Sequence, residues 1–305
     1  MVGCLWMAAC PDAALEGAKE GLALWAGSVV PALFPFFAGV NFLTALGLPY
    51  KLGKAFEPFF RSAFCVPGEG AFFFLSSLFS GYPVGARLVG DARRQGRITR
   101  EEGEKLLAFC STSGPLFLLG TVGSSLLGNS KLGLTVALCH YGGALLNGLL
   151  WRGKIGGFGA ECRRENRAQK GDFSMGGTHF QAGLLAVFTD SLLAAVRSVI
   201  LVGCYVVLFS MAVKAIPLTG TAGLWVKGLL EMTVGCAAAV KEVPDPVTAA
   251  LLCCFFTSFG GISIYLQSVS FLGETDLSKG KFLVQKVTHG ILAAGLSVLV
   301  LRFLL

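Results

Sequence analysis

Long apolar segments alternate with short polar ones along the chain, and several apolar segments carry glycine and proline in their interior. A helix that crosses a bilayer needs about 20 consecutive, mostly apolar residues. The pattern predicts an all-α membrane fold with about seven or eight transmembrane or re-entrant helices. The apolar segments are 21–48, 66–90, 106–127, 132–151, 181–216, 224–240, 247–272 and 282–305.

Two of these segments are interrupted, at residues 81–83 and again at residues 260–261. Proline and glycine end or bend helices, and the backbone groups that they free inside a bilayer are tolerated only where protein or water surrounds them. Interrupted helices at corresponding positions of two halves are the best sequence indication of a transporter's substrate site. These two interruptions therefore mark the part of the chain where function is expected.

A weak internal repeat relates the two interruptions. Segment 80–83 matches segment 257–260, and Glu57 matches Glu231. The repeat predicts one membrane domain made of two related halves, with the broken helices at their interface. The halves are inverted or parallel, depending on whether segment 56–80 re-enters the membrane or crosses it, and the sequence leaves both arrangements open.

The longest polar stretch predicts the boundary between the halves, because it is rich in glycine and basic residues. The predicted organisation is a first half over 1–151, a basic cytoplasmic linker over 152–180 and a second half over 181–305. Basic residues in short loops stay on the cytoplasmic side, so the linker and the loop 91–105 are expected on that side together.

Three further segments carry local predictions. Residues 1–10 are apolar but too short to cross a bilayer, so they are expected to form the stub of a helix or an interfacial piece. Charges and phenylalanines alternate over 50–64, which is typical of a helix that lies in the interface or re-enters the membrane. Thr99 followed by Glu102 has capping-box spacing, so a helix is expected to begin there and run into segment 106–127.

Composition supports a membrane location and excludes several other classes of protein. The chain is 54% hydrophobic and 14% charged, with a mean hydropathy of +0.69, whereas soluble domains carry about 25% charged residues. The net charge of +7 is concentrated in short loops, which indicates membrane topology rather than nucleic-acid binding. The ten cysteines and three histidines form no metal-ligand spacing, so no metal or other cofactor is predicted.

The sequence lacks the motifs of the common catalytic sites. It contains no His-Glu-x-x-His, no Gly-x-Ser-x-Gly and no phosphate-binding loop of the type Gly-x-x-x-x-Gly-Lys-Ser/Thr. We therefore predict that the protein is not an enzyme, and that it is not a pump driven by nucleotide hydrolysis.

The predicted binding site consists of residues in and beside the interruptions. The N-terminus of a half-helix favours an anion such as a carboxylate, and serine and threonine supply neutral hydrogen bonds. Arg87 is a carboxylate partner if it lies at the edge of a cavity. Glu231 and Glu57 are predicted as buried or coupling charges. The predicted substrate-binding residues are Ser80, Gly81, Tyr82, Pro83, Gly85, Arg87, Ser111, Thr112, Ser113, Ser258, Gly260, Gly261 and Ser263.

Structural roles are an alternative for each of these residues. Small residues in membrane helices also allow close helix packing. Arg87 is equally expected as a topology residue whose charge reaches the interface, and Glu57 as an interfacial partner of Arg61 or Lys54. The sequence keeps both interpretations open.

Four short motifs together resemble one family. They are Glu57-Pro58, Val66-Pro67-Gly68, Ser80-Gly81-Tyr82-Pro83-Val84-Gly85-Ala86-Arg87 and Gly96-Arg97-Ile98-Thr99. The chain resembles the sporulation integral membrane protein YlbJ family, which belongs to the wider nucleoside-recognition or Gate group. The resemblance extends over nearly the whole chain. The sequence departs from the family at 110–115, where Cys-Ser-Thr-Ser-Gly-Pro stands in place of an Asn-rich motif.

The resemblance implies a role in making dehydrated endospores, through cortex formation or through the movement of dipicolinate across a forespore membrane. It implies a multi-pass protein of the bacterial inner membrane or of the outer forespore membrane. The expected partners are the lipid bilayer, a small carboxylate-type solute, and a second copy of the chain or other sporulation membrane proteins. No nucleic acid is expected.

Two functions remain open at this stage. One is a secondary transporter or permease for a small anionic metabolite, and the other is a non-transporting membrane scaffold for other sporulation proteins. A transporter predicts a polar site between the two broken segments, whereas a scaffold predicts that the same segments pack closely and without water.

Overall fold

The structure is a computed structural model in which residues 11–153, 183–214 and 219–304 are described. Helices dominate these ranges, and no strand occurs within them. The predicted all-α fold class is therefore confirmed. The predictions for segment 1–10 and for most of the linker 152–180 fall outside the described residues.

The helices are numbered here in chain order. Those before the linker are α1 (Pro11–Leu24), α2 (Val30–Ala45), α3 (Leu48–Phe64), α4 (Gly70–Ser80), α5 (Val84–Arg94), α6 (Arg100–Leu107), α7 (Leu116–Leu126) and α8 (Ser130–Trp151). Those after the linker are α9 (Leu184–Lys214), α10 (Gly220–Leu230), α11 (Met232–Glu242), α12 (Pro246–Phe259), α13 (Gly261–Leu272) and α14 (Lys279–Leu304). A π-helical turn, Trp25–Val29, joins α1 to α2, and α7 is itself π-helical.

Several helices are long and apolar enough to cross a membrane. Within the described residues these are Ser130–Trp151, Leu184–Lys214, Pro246–Leu272 and Lys279–Arg302. A further span is present if α2 and α3 are counted as one pair, although the chain bends by 79° between them. Helices α4 and α7 are shorter and apolar. The chain is therefore a polytopic integral membrane protein, as predicted.

Helices α4 and α5 form a hairpin that turns back inside the bundle. Its tip is the predicted interruption at 81–83, where Gly81 has a φ of 80°, a conformation that glycine adopts without strain. The two open ends of the hairpin lie together, because Arg97 forms an ion pair with Glu69. Segment 56–80 therefore re-enters the domain rather than crossing it.

Helices α10 and α11 form a second hairpin, which the sequence did not predict. A Cβ atom at Gly235 would lie 2.3 Å from the Cα atom of Gly228, although residues seven apart are about 10 Å apart along a continuous helix. The chain reverses at Glu231, whose backbone is extended and whose carboxylate accepts a hydrogen bond from the Val234 N–H. The expectation of one continuous helix over 224–240 was wrong, because a glutamate cap can end a helix without glycine or proline.

Two crossing segments are interrupted at mid-length. Helix α12 ends at Phe259, Gly260 caps it with a φ of 84°, and α13 begins at Gly261, so the predicted interruption at 260–261 is present. The capping box of Thr99 and Glu102 is also confirmed. Helix α6 nevertheless ends at Leu107 instead of running onward, and α7 begins only at Leu116. The segment 108–115 is thus a third interruption, which the sequence placed inside a helix.

The basic loops lie at one end of the bundle, called here the basic end. The Arg93 guanidinium bonds to both carboxylate oxygens of Asp276 at 2.8 Å, so the loop 91–105 lies beside the loop that precedes α14. The Lys281 ammonium lies 5.7 Å from the centre of the Trp151 ring, at the end of α8. The described start of the linker is therefore at the same end as the loop 91–105.

The two hairpins enter the bundle from opposite ends. The span Pro246–Leu272 ends at the basic end, where Arg94 donates to the Phe271 carbonyl at 2.8 Å, so its start and the preceding Glu242 lie at the other end. Helix α9 runs toward that other end. It ends at Lys214, which lines the same cleft as Glu242 at the open end of the second hairpin. The first hairpin opens toward the basic end and the second toward the other end, so the arrangement is inverted.

This arrangement changes the residue-level match between the halves. By position in the fold, the hairpin tip 81–83 corresponds to the tip at Glu231, and segment 108–115 corresponds to the interruption at 260–261. The sequence match of 80–83 with 257–260 is therefore not the structural one. The two segments look alike because each contains a hydroxyl residue, an aromatic residue and glycine. This composition is compatible with any helix interruption.

Candidate binding site at the helix interruptions

The four interruptions meet in the centre of the bundle. The Tyr82 hydroxyl at the first hairpin tip lies 3.1 Å from the carbonyl oxygen of Thr257 and 3.2 Å from that of Ser258, and donates its hydrogen to this pair. Tyr82 also packs with Met232, which follows the tip of the second hairpin. The first hairpin therefore contacts both the interrupted α12–α13 segment and the second hairpin.

Close backbone contacts complete this meeting point. A Cβ atom at Gly81 would lie 2.6 Å from the Gly114 amide nitrogen, and one at Gly261 would lie 3.2 Å from the Glu231 Cα atom. Any larger residue would force these segments apart. Glycine at both positions therefore serves close packing as well as a positive φ, which is 80° at Gly81 and 76° at Gly261.

Helix α8 holds the two interrupted crossing segments together through His140. The Ser113 N–H donates to Nε2 of His140 at 2.9 Å, so this nitrogen carries a lone pair. The remaining ring hydrogen is then on Nδ1, which lies 2.8 Å from the Ser258 hydroxyl and donates to it. The Tyr141 hydroxyl adds a bond to the Ser113 carbonyl at 3.0 Å. These contacts fix His140 as a neutral imidazole.

Lys286 of α14 brings a buried amino group to the same place. Its ammonium donates to the Tyr82 hydroxyl at 2.6 Å and to the Ser111 carbonyl at 3.2 Å. The residue is only 2% exposed. Within the ranges that the structure describes, no carboxylate oxygen lies within 4.0 Å of this ammonium. An ammonium has three N–H donors, so it retains capacity for a further acceptor.

Two buried hydroxyls near these contacts have no hydrogen-bond partner among the described residues. They belong to Ser80, which immediately precedes the hairpin tip, and to Ser111, whose carbonyl Lys286 contacts. Buried polar groups are nearly always hydrogen-bonded, so an unpartnered one indicates a place for water or a ligand. The site thus offers the Lys286 amino group and neutral hydroxyls to a polar ligand.

The other predicted site residues have structural contacts. Thr112 bonds to the Ser77 hydroxyl through its N–H at 3.1 Å and its side chain at 3.0 Å. The Ser263 hydroxyl accepts a bond from Gln267 at 3.2 Å. A Cβ atom at Gly85 would lie 1.4 Å from the Cys110 carbonyl oxygen. Pro83 precedes the first residue of α5.

The predicted charged residues are also engaged by protein groups. Arg87 donates to Asn41 at 2.8 Å, lies 3.6 Å from the Asp91 carboxylate, and covers the Phe37 ring. Glu57 bonds to Arg61 at 2.7 Å, which matches the interfacial alternative. Glu231 caps α11 at the tip of the second hairpin. Lys286 is therefore a better anion partner than Arg87.

The basic end carries ion pairs that surround the entrance of the first hairpin. Glu102 is 1% exposed and bonds to Arg61 at 2.6 Å. Burial would raise the pKa of Glu104, but hydrogen bonds from Lys281 and Arg100 outweigh it and hold that pKa below its ordinary value. The Arg93 hydrogen bond likewise lowers the pKa of Asp276.

Comparison with known proteins agrees with the motifs. Residues 26–132 match the family model described as Gate, nucleoside recognition. The chain is 28% identical over 319 residues to the sporulation integral membrane protein YlbJ of Bacillus subtilis (strain 168), covering 93% of this chain and 76% of the relative. The predicted resemblance to the YlbJ family is confirmed. No solved structure matches the chain.

The Gate match covers only part of the candidate site. It includes the first hairpin and segment 108–115, whereas His140, Lys286 and the second hairpin lie beyond residue 132. Lys286 was not among the predicted site residues, and no contact between histidines was predicted, although the ring centres of His140 and His289 are 4.9 Å apart. An ionisable residue inside an apolar membrane segment is a functional candidate by default, and this signal identifies Lys286.

Within the described residues, no group of three or more histidine, cysteine, aspartate or glutamate side chains is placed to hold a metal ion. The centre of the bundle instead combines an ammonium, a neutral imidazole, hydroxyls and backbone groups. This set is suited to binding an anion through hydrogen bonds.

Proposed function

We propose that this integral membrane protein is a secondary transporter or permease for a small anionic metabolite. The setting we propose is endospore formation, because the relative that it resembles over 93% of its length is a sporulation protein. Dipicolinate, an aromatic dicarboxylate, is the candidate solute.

The observation that carries this proposal is the buried ammonium of Lys286. A charge removed from water is costly unless an opposite charge or several hydrogen bonds compensate it. Lys286 has a hydroxyl and a carbonyl as partners but no carboxylate among the described residues. A carboxylate solute would supply the missing charge, and the loaded site would be better compensated than the empty one.

Helix ends at the site add to the attraction for an anion. Helices α5, α7 and α13 begin at the interruptions, at Val84, Leu116 and Gly261. The first N–H groups of a helix have no partner in the helix, and its N-terminus carries partial positive charge. Several such ends around Lys286 favour a solute with two or more negative oxygens.

The inverted hairpins suggest how a solute would reach this site. The Tyr82 hydroxyl and the Lys286 ammonium occupy the space between the interruptions in this structure. Since the hairpins open toward opposite ends of the bundle, displacing one tip would expose the site on one side only. Such alternating exposure is the general requirement of secondary transport.

The test is uptake by proteoliposomes that contain the purified full-length chain. Labelled dipicolinate, a small aliphatic dicarboxylate and an uncharged nucleoside are offered separately. We expect saturable uptake of one or both dicarboxylates, and we expect Lys286→Gln to reduce it by about 100-fold, since losing a buried charge-assisted contact costs about 2–3 kcal/mol. Lys279→Gln, at the start of the same helix, is the matched control and should transport normally.

Each other outcome has a defined meaning. Uptake of the nucleoside alone would show a transporter with a different solute class and would remove the anion proposal. No uptake of any solute by a correctly folded wild-type protein would favour the scaffold, in which the contacts of Tyr82 and Lys286 are permanent.

A further inference from the structure

A cleft of about 580 Å³ lies at the end of the bundle opposite the basic end. It is enclosed by α1, α9 and the second hairpin, and its walls include the apolar side chains of Leu24, Val213 and Val234. Its volume falls within the range of small-molecule sites, about 300–1,000 Å³. None of the site residues that surround Lys286 lines it.

Three lysines from three helices border this cleft, namely Lys214, Lys227 and Lys241. Lys214 is neutralised by Glu16 at 3.1 Å and Glu20 at 2.8 Å. Lys227 and Lys241 have no carboxylate within 4.0 Å in the part of the chain that the structure describes. Two ammonium groups without an ion-pair partner among the described residues therefore adjoin this cleft, which Glu20 and Glu242 also line.

A buried acceptor lies at the same cleft. Glu242 is half-buried and lines the cleft, and its Oε2 atom has no hydrogen-bond partner among the described residues. A buried carboxylate oxygen without a donor is rare. A ligand for this cleft should therefore contain two groups. One is a negative group that binds the two lysines, and the other is a hydrogen-bond donor that binds Glu242.

We propose that the cleft binds the headgroup of an anionic phospholipid whose phosphate is followed by a hydroxyl donor, as in phosphatidylglycerol. The phosphate lies between Lys227 and Lys241, and a glycerol hydroxyl donates to Glu242. The acyl chains follow the apolar wall from Leu24, which is 40% exposed, toward the lipid phase. Basic pockets between membrane helices bind anionic headgroups in this way.

Related compounds differ from phosphatidylglycerol in the groups that would contact this cleft. A choline headgroup has no N–H or O–H to donate to Glu242, and its phosphate charge is cancelled within the headgroup. Phosphatidic acid has the phosphate but lacks the glycerol. Glycerol 3-phosphate has both polar groups and lacks the acyl chains, so it distinguishes a lipid site from a site for a soluble phosphate compound.

The experiment measures lipid retention by the delipidated full-length protein, using native mass spectrometry and lipids with identical acyl chains. Phosphatidylglycerol should bind about 30-fold more tightly than phosphatidylcholine, as two lysines each contributing about 1 kcal/mol would produce. Lys227→Gln with Lys241→Gln should remove this preference. Lys131→Gln, an exposed lysine at the start of α8, is the matched control and should retain it.

A second variant tests the acceptor. Glu242→Ala should weaken the binding of phosphatidylglycerol and leave that of phosphatidic acid unchanged, because only the contact with the headgroup glycerol is lost. If the double lysine variant does not fold, Lys241→Gln alone should show a smaller loss of the same preference.

The proposal is overturned if phosphatidylglycerol and phosphatidylcholine bind equally, or if Lys131→Gln weakens binding as much as the double variant. Binding of glycerol 3-phosphate as tight as that of the lipid would also overturn it, in favour of a soluble phosphate compound. None of these results depends on whether the protein transports a solute.

Discussion

At the basic end of the bundle, the buried carboxylates and the cations around them are paired, whereas the buried ammonium in the centre is not. Glu102 bonds to Arg61, and Glu104 accepts from Lys281 at 2.9 Å and from Arg100 at 3.1 Å. Lys286 is as buried as Glu102, yet its partners are a hydroxyl and a carbonyl. The two regions therefore use buried charge for different purposes.

The difference follows from what each region must do. Paired charges at the basic end connect the first hairpin, α3 and the start of α14. Each ion pair holds the elements that it connects in one relative position. An unpaired charge in the centre lowers the stability of the empty protein, and a ligand of opposite charge can recover that free energy. Unpaired buried charge is thus a marker of binding, and paired buried charge is a marker of structure.

The largest expected effect is at the basic end. Glu102→Ala should lower the free energy of unfolding by about 3 kcal/mol, because it breaks a buried ion pair and removes the side-chain part of a helix cap. Unfolding in mixed micelles measures this change. The neighbouring Glu101 is exposed, so Glu101→Ala should have little effect. Equal effects of the two variants would contradict the structural role of the pair.

Removal of the central charge should act in the opposite direction. Lys286→Met should raise the free energy of unfolding by about 1–3 kcal/mol, because it replaces a buried charge with an apolar side chain of similar size. The same variant should also fail to take up the dicarboxylate in proteoliposomes. Destabilisation by Lys286→Met would mean that the charge is structural, and the contrast between the two regions would fail.

Acid should weaken the basic end in a way that depends on Glu104. Because the pKa of this carboxyl lies below its ordinary value, ionised Glu104 stabilises the fold above about pH 4.3, the value in an unfolded chain. That stabilisation is lost as the pH falls through the folded pKa. Thermal unfolding between pH 3 and 6 should therefore depend less on pH in Glu104→Gln than in wild type, and parallel curves would refute this.

The smallest effect is expected for an exposed pair. Arg93 bonds to both oxygens of Asp276, but both side chains are partly exposed to solvent. Exposed ion pairs contribute little to stability and are screened by salt. Arg93→Gln should shift the thermal midpoint only slightly at low salt, and the shift should vanish at high salt. A large shift of the thermal midpoint that persists at high salt would show that this ion pair contributes to stability as the buried pairs do.

The candidate site was partly predictable from sequence. Gly81 and Gly260 stand out because glycine next to proline or a hydroxyl interrupts an apolar segment, and this is a local signal. Glu231 did not mark a hairpin in the sequence, since a capped reversal needs only one glutamate in a small-residue segment. Arg87 was chosen because it is near the first interruption, yet Asn41 and Asp91 engage it in the fold.

The sequence by itself determined the membrane class, the all-α fold and two of the helix interruptions. These follow from hydropathy and from the backbone preferences of glycine and proline, which act within a few residues. Only the tertiary structure decided that the hairpins are inverted and that Lys286 meets Tyr82 across 204 positions of the chain. Such a contact depends on how distant helices pack, and no local pattern encodes it.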